Sequence, residues 1–172
     1  MEIKSKKFTL RYFKKGDEIS LQKNINNKNI ADMALTIPYP YKPKDAKKWV
    51  KENLQGYRHK NKEKINFVID INREVVGSIG LIDIKKDHKA EIGYWLAEKY
   101  WGQGIMTEAV NLILNYGFKK LKLKRIYGKV FTFNKGSQKV LKKAGFSYEG
   151  YLKKDIIKNK KLIGVYVFGK IN

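Results

Sequence analysis

A chain of 172 residues, of which 42% are hydrophobic, is long enough for one domain with a substantial core. No apolar run approaches the roughly 20 residues of a membrane-spanning helix, and no apolar segment follows the basic N-terminus, so neither a membrane span nor a secretory signal is predicted. The absence of cysteine excludes disulfides, thiolate metal sites and a cysteine nucleophile, and the composition predicts a cytoplasmic protein.

The formal net charge of +22 is extreme for this length. It predicts attraction to polyanions such as nucleic acid, the ribosome or an acidic cofactor. Most of the 38 basic residues are lysine, and they are spread over the whole chain, as the codon bias of an A/T-rich genome would also produce. Codon bias and a functional role for the charge are therefore both open.

The N-terminal part of the chain predicts a strand and two helices. The strand is expected over residues 8–13, where apolar and polar residues alternate. One helix begins near Gly16-Asp17 and ends in the asparagine-rich segment 24–29. A second helix begins near Asp45, after an extended segment that contains all three prolines.

The middle of the chain predicts a three-stranded meander. Residues 65–70 and 75–84 have the apolar, β-branched composition of strands, and Asn72-Arg73 supplies the turn between them. After a second turn at residues 85–88, the third strand covers Ala90–Leu96.

The remaining elements alternate before they end in a hairpin. A helix is expected over 107–121, a strand over 125–133, a short helix over 134–145, and two strands over 148–157 and 162–171. The whole order predicts a single domain over residues 1–172 of the α/β (α+β) class, with a sheet covered by helices.

A glycine-punctuated segment, Tyr100-Trp101-Gly102-Gln103-Gly104, connects the strand Ala90–Leu96 to the following helix. Glycine lets a backbone approach phosphate closely, and a helix start offers free N–H groups and a partial positive charge. The segment lacks the third glycine of a dinucleotide-binding fingerprint and the Gly-Lys-Ser/Thr of a Walker loop. It therefore predicts a phosphate-bearing ligand without identifying it.

Further motifs flank this loop in a fixed order: Glu91–Leu96, Thr107-Glu108-Ala109, Asn134-x-x-Ser137 and Lys143-Ala144-Gly145-Phe146. Together with the loop they resemble the Gcn5-related N-acetyltransferase (GNAT) superfamily, in particular its ribosomal-protein N-terminal acetyltransferase (RimJ/RimL-like) branch. The resemblance covers nearly the whole chain. It implies a mixed, mostly antiparallel sheet of about seven strands with helices on both faces, whose fourth and fifth strands splay apart around acetyl-CoA.

The resemblance also implies which residues bind acetyl-CoA. The backbone groups of residues 95–97 would lie along the acetyl–pantetheine arm, and the amides of residues 102–107 would wrap the pyrophosphate. Asn134 would bind the pantetheine arm, and Ser137 would lie near the arm or the thioester sulfur. Trp101 and Met106 depart from the usual residues, which a loop that binds through backbone amides should tolerate. No metal is implied. The expected cofactor-binding residues are Trp95, Leu96, Ala97, Gly102, Gln103, Gly104, Ile105, Met106, Thr107, Asn134 and Ser137.

The implied reaction is direct transfer of an acetyl group from the thioester to a primary amine in a ternary complex, and the lack of cysteine disfavours an acyl-enzyme. A carboxylate acting through water would remove the proton of the amine. Glu91 is the catalytic candidate, and Asp155 and Glu149 are alternatives. At another position, where members of this branch frequently have an acidic residue, this chain has Gly164.

Two further groups would act on the tetrahedral intermediate. The backbone N–H of Leu96 is the expected oxyanion donor. Many relatives place a tyrosine acid where this chain has Leu141, so Ser137, the second catalytic candidate, or ordered water would protonate the thiolate.

The acceptor is left open by the sequence. Protein N-termini fit the branch, a polyamine requires a locally acidic pocket in so basic a protein, and small amines such as antibiotics remain alternatives. Four aromatic residues either line the acceptor groove or belong to the core: Tyr39, Tyr41, Trp49 and Tyr57.

A rival hypothesis is a basic module that binds the ribosome or RNA and retains only the fold. Weak polyanion association and a homodimer are also left open.

Overall fold

The computed structural model describes residues 2–56 and 63–172, which form eight strands in one sheet and five α-helices. The strands are β1 (Glu2–Lys4), β2 (Thr9–Arg11), β3 (Ile65–Ile71), β4 (Glu74–Lys85), β5 (Lys89–Leu96), β6 (Arg125–Phe131), β7 (Ser147–Lys158) and β8 (Lys161–Ile171). The helices are α1 (Asp17–Ile25), α2 (Lys28–Met33), α3 (Pro43–Gly56), α4 (Ile105–Asn115) and α5 (Lys135–Lys143).

The strand order across the sheet is β1-β2-β3-β4-β5-β6-β8-β7. Strands β5 and β6 are parallel, whereas the other neighbouring strands pair antiparallel. The two-residue turns at Asn72-Arg73 and Asn159-Lys160 have the left-handed backbone that tight hairpins require. The predicted mixed, mostly antiparallel sheet is therefore confirmed, with eight strands rather than about seven.

The core lies on both faces of the sheet. Neighbouring residues of a strand face opposite sides, so Phe67 packs with α4 and α5 while Val68 packs with the three N-terminal helices. Both side chains are fully buried. The prediction of helices on both faces is confirmed. None of the helices within the described residues is long and apolar enough to cross a bilayer.

Three local features differ from the predicted elements. The three-residue strand β1 was not predicted, because so short a segment has no detectable periodicity. The asparagine-rich segment is not simply the end of a helix: Asn27 caps α2 by accepting bonds from the N–H groups of Asn29 and Ile30 at 2.8 and 3.2 Å. The predicted helix 107–121 starts two residues earlier, at Ile105, and ends in a π-helical turn over Tyr116–Lys120.

Candidate active site

The parallel strands β5 and β6 separate soon after they begin. Their registered pairs end at Glu91 and Tyr127, although β5 continues to Leu96 and β6 to Phe131. The separation opens a gap at the carboxyl ends of the two strands, which is where sheets of this kind bind ligands. The splayed pair implied by the resemblance is therefore present.

Two cavities open on this gap. The first, here called the loop cavity, has a volume of about 550 Å³ and is lined by the glycine loop, the start of α4 and one face of α5. The second, here called the α3 cavity, has a volume of about 450 Å³ and is lined by α3, β4, β5 and β6. Residues that line both cavities form a shared wall: Met33, Ala34, Tyr94, Trp95, Asn134 and Ser137.

The glycine loop has the backbone of an anion site. Gly102 and Gly104 have φ angles of 76° and 77°, and among the described residues no atom lies within 4 Å of the place where a Cβ would stand. Helix α4 begins at the next residue, and Glu108 N–H donates to Gly104 O at 3.0 Å. The N–H groups of residues 105–107 come before this first bond of the helix, so the helix provides no carbonyl acceptor for them. They are therefore placed as donors for a ligand.

Three hydrogen bonds hold this loop in position. The indole Nε1 of Trp101 donates to Leu96 O at 2.8 Å, and Gln103 Nε2 donates to Lys99 O at 2.9 Å. From the N-terminal segment, Lys7 Nζ donates to Gln103 O at 2.9 Å. Trp101, which departs from the usual family residue, thus ties the loop to the end of β5.

A row of lysines on α5 faces the loop cavity. Lys135, Lys139 and Lys143 are spaced four residues apart, which puts them on one side of the helix, and all three line the cavity. They give the cavity the positive charge that a polyphosphate requires. The sequence analysis missed them, although their spacing within a predicted helix beside a phosphate loop was a usable signal.

Strand geometry indicates that Leu96 N–H points into the gap. Ala97 N–H donates to Val76 O at 2.8 Å, toward β4. Successive N–H groups of an extended strand point to opposite sides, so the preceding N–H, that of Leu96, faces away from β4. This direction is compatible with the predicted oxyanion donor.

Most of the predicted cofactor-binding residues come together around the loop cavity, but Ala97 and Gln103 are not in its wall. Ala97 is buried and its N–H is already used, while Gln103 is exposed on the outer side of the loop. The predicted residues that do line the cavity are Trp95, Leu96, Gly102, Gly104, Ile105, Met106, Thr107, Asn134 and Ser137.

Asn134 and Ser137 meet at the start of α5. Asn134 Oδ1 accepts from Ser137 N–H at 2.9 Å and caps the helix, and Asn134 Nδ2 donates to Met33 O at 3.2 Å. The Ser137 hydroxyl lies 2.7 Å from the hydroxyl of Tyr94 on β5. Burial raises the pKa of Tyr94 well above its ordinary value. Tyr94 was not among the predicted site residues.

Trp95, in the shared wall, carries a buried donor without a partner among the described residues. Its side chain is 8% exposed, and its buried Nε1 has no hydrogen-bond partner within the described part of the chain. A buried donor without a partner is costly unless a ligand or water satisfies it. The Nε1 of Trp49 in the α3 cavity is in the same state.

The α3 cavity carries the candidate base. Glu91 lines it, and burial raises the pKa of Glu91 although nearby Lys129 and a hydrogen bond from Tyr127 act in the opposite direction. Lys129 itself is paired with Asp155 at 2.8 Å, which raises the pKa of Lys129. Glu91 therefore combines cavity access with a pKa moved toward the neutral range, as a base requires.

The alternative carboxylates have other partners. Asp155 is engaged by Lys129, and Glu149 is held by both terminal nitrogens of Arg125, which lowers the pKa of Glu149. Neither carboxylate is in the wall of either cavity. Leu141, at the position of the usual tyrosine acid, is buried at the edge of the α3 cavity.

The aromatic residues expected in the acceptor groove divide into three groups. Tyr41 and Trp49 line the α3 cavity and also pack in the core beneath α3. Tyr39 is 55% exposed and is not in the cavity wall. Tyr57 lies outside the described residues. Within residues 2–56 and 63–172, no group of three or more His, Asp or Glu side chains is placed to hold a metal ion.

A glycine loop at a helix start lies beside a splayed parallel pair, an arrangement that the sequence resemblance implied. Residues 7–147 match the family described as acetyltransferase (GNAT) domain. Because the match covers most of its length, the chain belongs to this family, and the predicted superfamily is confirmed.

Curated relatives carry related names. Over 84 residues, 48% of this chain and 46% of the relative, the chain is 44% identical to the probable N-acetyltransferase YjcK of Bacillus subtilis (strain 168). Over 88% of this chain and 85% of the relative, it is 30% identical to the spermidine N(1)-acetyltransferase of Vibrio cholerae. The chain spans 46%, 50% and 60% of the length of three of the curated relatives that it matches.

Solved structures share the fold over nearly the full length. The ribosomal-protein-S5-alanine acetyltransferase of Vibrio fischeri is 26% identical, with a TM-score of 0.86, and the alignment covers 100% of this chain and 97% of that one. The microcin C7 self-immunity acetyltransferase MccE, solved in complex with acetyl-CoA and AMP, is also 26% identical, with a TM-score of 0.84 and coverage of 98% and 94%.

Proposed function

We propose that the chain is an acetyl-CoA-dependent N-acetyltransferase that moves the acetyl group to a primary amine by direct transfer. The observation that carries this proposal is the gap beyond Glu91 and Tyr127, which joins a cavity built for phosphates to a cavity that holds a carboxylate. Transfer between two substrates requires such a meeting point, because the reacting atoms must be held in contact.

The loop cavity fits acetyl-CoA. The N–H groups of residues 105–107 and the lysines of α5 would bind its phosphates. The edge of β5 near Leu96, which does not pair with β6, would lie along the pantetheine arm. The volume of about 550 Å³ is in the range of known ligand pockets.

Glu91 would act on the acceptor amine. An ammonium is not a nucleophile, so Glu91 would first accept its proton through a water molecule. The amine nitrogen would then attack the thioester carbonyl carbon, and the Leu96 N–H would stabilise the negative charge that develops on oxygen. The sequence contains no cysteine to form an acyl-enzyme, which favours one direct step.

For the acceptor, we propose first the N-terminal amine of a protein or peptide. The similarity to the ribosomal-protein-S5-alanine acetyltransferase, which extends over the full length of this chain, supports this choice. The wall of the α3 cavity includes residues of α3 and of the segment that follows α2, among them Ala34 and Pro38. A free N-terminus could enter this opening while the rest of the peptide stays outside.

A polyamine is the second candidate, favoured by the charge of the α3 cavity. Three carboxylates line the cavity, those of Asp45, Glu52 and Glu91. Burial, together with Asp45 and Glu52, raises the pKa of Tyr41 to about 12. The wall also contains two lysines, fewer than its carboxylates: Lys129 is paired with Asp155 outside the wall, and Lys48 lies 4.0 Å from Glu52. The cavity is therefore locally acidic within a strongly basic protein, and the similarity to a spermidine acetyltransferase agrees with that.

Release of the CoA thiol separates these candidates. The panel would contain a short peptide with a free N-terminus, the same peptide with its N-terminus acetylated, and spermidine. Turnover of the free peptide alone supports the first acceptor, and turnover of spermidine alone supports the second. Absence of acetyl-CoA binding, with salt-sensitive RNA binding instead, would contradict the enzyme and favour the rival binding module.

A variant of α3 sharpens the comparison. Glu52→Gln removes one carboxylate from the cavity and should raise the KM for spermidine by roughly two- to fivefold, the range of an exposed ion pair. The exposed Glu63, outside the cavity wall, gives the matched control Glu63→Gln, which should leave the KM unchanged.

A further inference from the structure

Two hydroxyl groups meet where the two cavities join. Tyr94 lies on β5 and Ser137 on the first turn of α5, and both side chains belong to the shared wall. Their hydroxyl oxygens are 2.7 Å apart, the ordinary length of an O–H···O hydrogen bond. The Asn134 side chain fixes the backbone of Ser137 from the other side.

Either hydroxyl of this pair can donate to the other. The Ser137 carbonyl oxygen is also near the Tyr94 hydroxyl, but at 3.5 Å this contact is too long for a good O–H···O bond. When Tyr94 donates to Ser137 Oγ, the proton of the Ser137 hydroxyl is left to point into the gap, which is the arrangement that stabilisation of a thiolate requires.

We propose that Tyr94 is a positioning residue, which orients the Ser137 hydroxyl toward the departing thiolate of CoA. This inference rests on the proposed acetyl transfer. It assigns stabilisation of the departing thiolate to a hydroxyl pair, since the side chain at the position of the usual tyrosine acid is the apolar Leu141. Burial raises the pKa of Tyr94, so its hydroxyl remains a donor throughout the working pH range.

The step balances without an extra reactant. Glu91 takes one proton of the ammonium through water before the attack. The C–N bond then forms as the neutral amine attacks, and the second proton that the nitrogen must lose passes to solvent water. The C–S bond then breaks with its electron pair on sulfur, and Ser137 donates a hydrogen bond to the thiolate. The thiolate takes a proton from solvent as it leaves, so neither hydroxyl loses its proton overall.

Three variants test the pair: Tyr94→Phe, Ser137→Ala and the double variant. Tyr94→Phe removes one hydroxyl and keeps the ring. Each single change should lower kcat roughly tenfold, the effect of one hydrogen bond, while the KM for acetyl-CoA changes less than about twofold. The kcat of the double variant should be no lower than that of the less active single variant, because the two hydroxyls act as one unit. Losses that multiply would overturn the proposal.

A change of leaving group separates positioning from a structural role. An acetyl thioester of a more acidic aromatic thiol needs less help at sulfur, so the kcat defect of Tyr94→Phe should shrink with this donor. An equal defect with both donors would overturn the proposal. Tyr148→Phe, at an exposed tyrosine of β7, is the matched control and should have no defect.

The same assays distinguish this inference from the proposed function. If the unmodified chain transfers acetyl to none of the amines, the proposed function fails and the inference fails with it. If the unmodified chain is active and Tyr94→Phe has unchanged kcat with both donors, only the inference is overturned. A thermal melt of each variant verifies that the chain is folded.

Discussion

Glu91 and Tyr127 form the last registered pair between β5 and β6, and their side chains are close enough for each to shift the pKa of the other. The candidate base is thus held at the point where the sheet opens. Its position depends on strand register rather than on a mobile loop, and its burial depends on the same splay that forms the two cavities.

Replacement of this carboxylate should change the pH dependence of the reaction. Burial raises the pKa of Glu91, and only its deprotonated form accepts a proton, so kcat should fall as the pH decreases through that raised pKa. Glu91→Gln should lose this acidic limb and lower kcat by roughly 100-fold at neutral pH. The measurement is a pH–rate profile at saturating acetyl-CoA. Glu149→Gln, outside both cavities, is the control, and an unaltered profile in Glu91→Gln would exclude Glu91 as the base.

The glycine loop offers a matched pair of substitutions. Gly104 and Gly16 each stand directly before a helix, and each glycine has left-handed backbone angles. At neither site does a neighbouring atom of the described residues lie within 4 Å of the position that a Cβ would take. Alanine at either site should lower the free energy of unfolding by about 1 kcal/mol, because a Cβ disfavours this backbone. Only Gly104→Ala should also weaken acetyl-CoA binding, which calorimetry would measure. Equal affinities in the two variants would argue against the loop as the phosphate site.

The lysine face of α5 should contribute long-range attraction. Lys139→Gln should weaken acetyl-CoA binding by roughly two- to fivefold at low salt, and the difference should shrink as salt is added. Lys142 is on the same helix but is not in the cavity wall, so Lys142→Gln is the control. A loss of the same size in both variants would mean that net charge, rather than the lysine face, recruits the cofactor.

A buried ion-pair network should dominate the stability of the N-terminal half. Arg11 donates to both oxygens of Asp17 at 2.8 Å and to Asp70 at 2.6 Å, and all three side chains are largely buried. Arg11→Met should lower the free energy of unfolding by about 3 to 5 kcal/mol, because two carboxylates lose their cation. Urea unfolding measures this loss.

The more exposed pair of Arg125 and Glu149 supplies the comparison. Its side chains are 29% and 31% exposed, so Arg125→Met should cost less than about 1 kcal/mol. Equal losses from the two substitutions would contradict the assignment of stability to the buried network.

Much of this architecture was predictable from local sequence. The alternation of apolar residues indicated the central strands, and the order of the glycine loop and the Asn134 motif indicated the family. The loop could be recognised because its glycines and the helix start that follows them are contiguous in the sequence. A cytoplasmic location, ribosome association and a homodimer stay predictions.

What was missed depends on contacts between distant segments. The pairing of Tyr94 with Ser137 joins residues 43 positions apart, and nothing in either local sequence indicates it. The hydrogen bond from Ala97 N–H to Val76 O likewise joins segments that are distant in sequence, and it turns this N–H group toward β4. The partners of Asp155 and Glu149 were equally hidden, because they lie on β6, which β8 separates from β7 in the folded sheet.

The shared wall has a thermodynamic consequence. Because Met33, Trp95 and the hydroxyl pair line both cavities, any shift of these side chains that one substrate causes alters the space offered to the other. Linkage makes such an effect reciprocal: if bound acetyl-CoA raises the affinity for the amine, the amine raises the affinity for acetyl-CoA by the same factor. Cooperativity between the two substrates would thus arise within one subunit, through a partition that both of them touch.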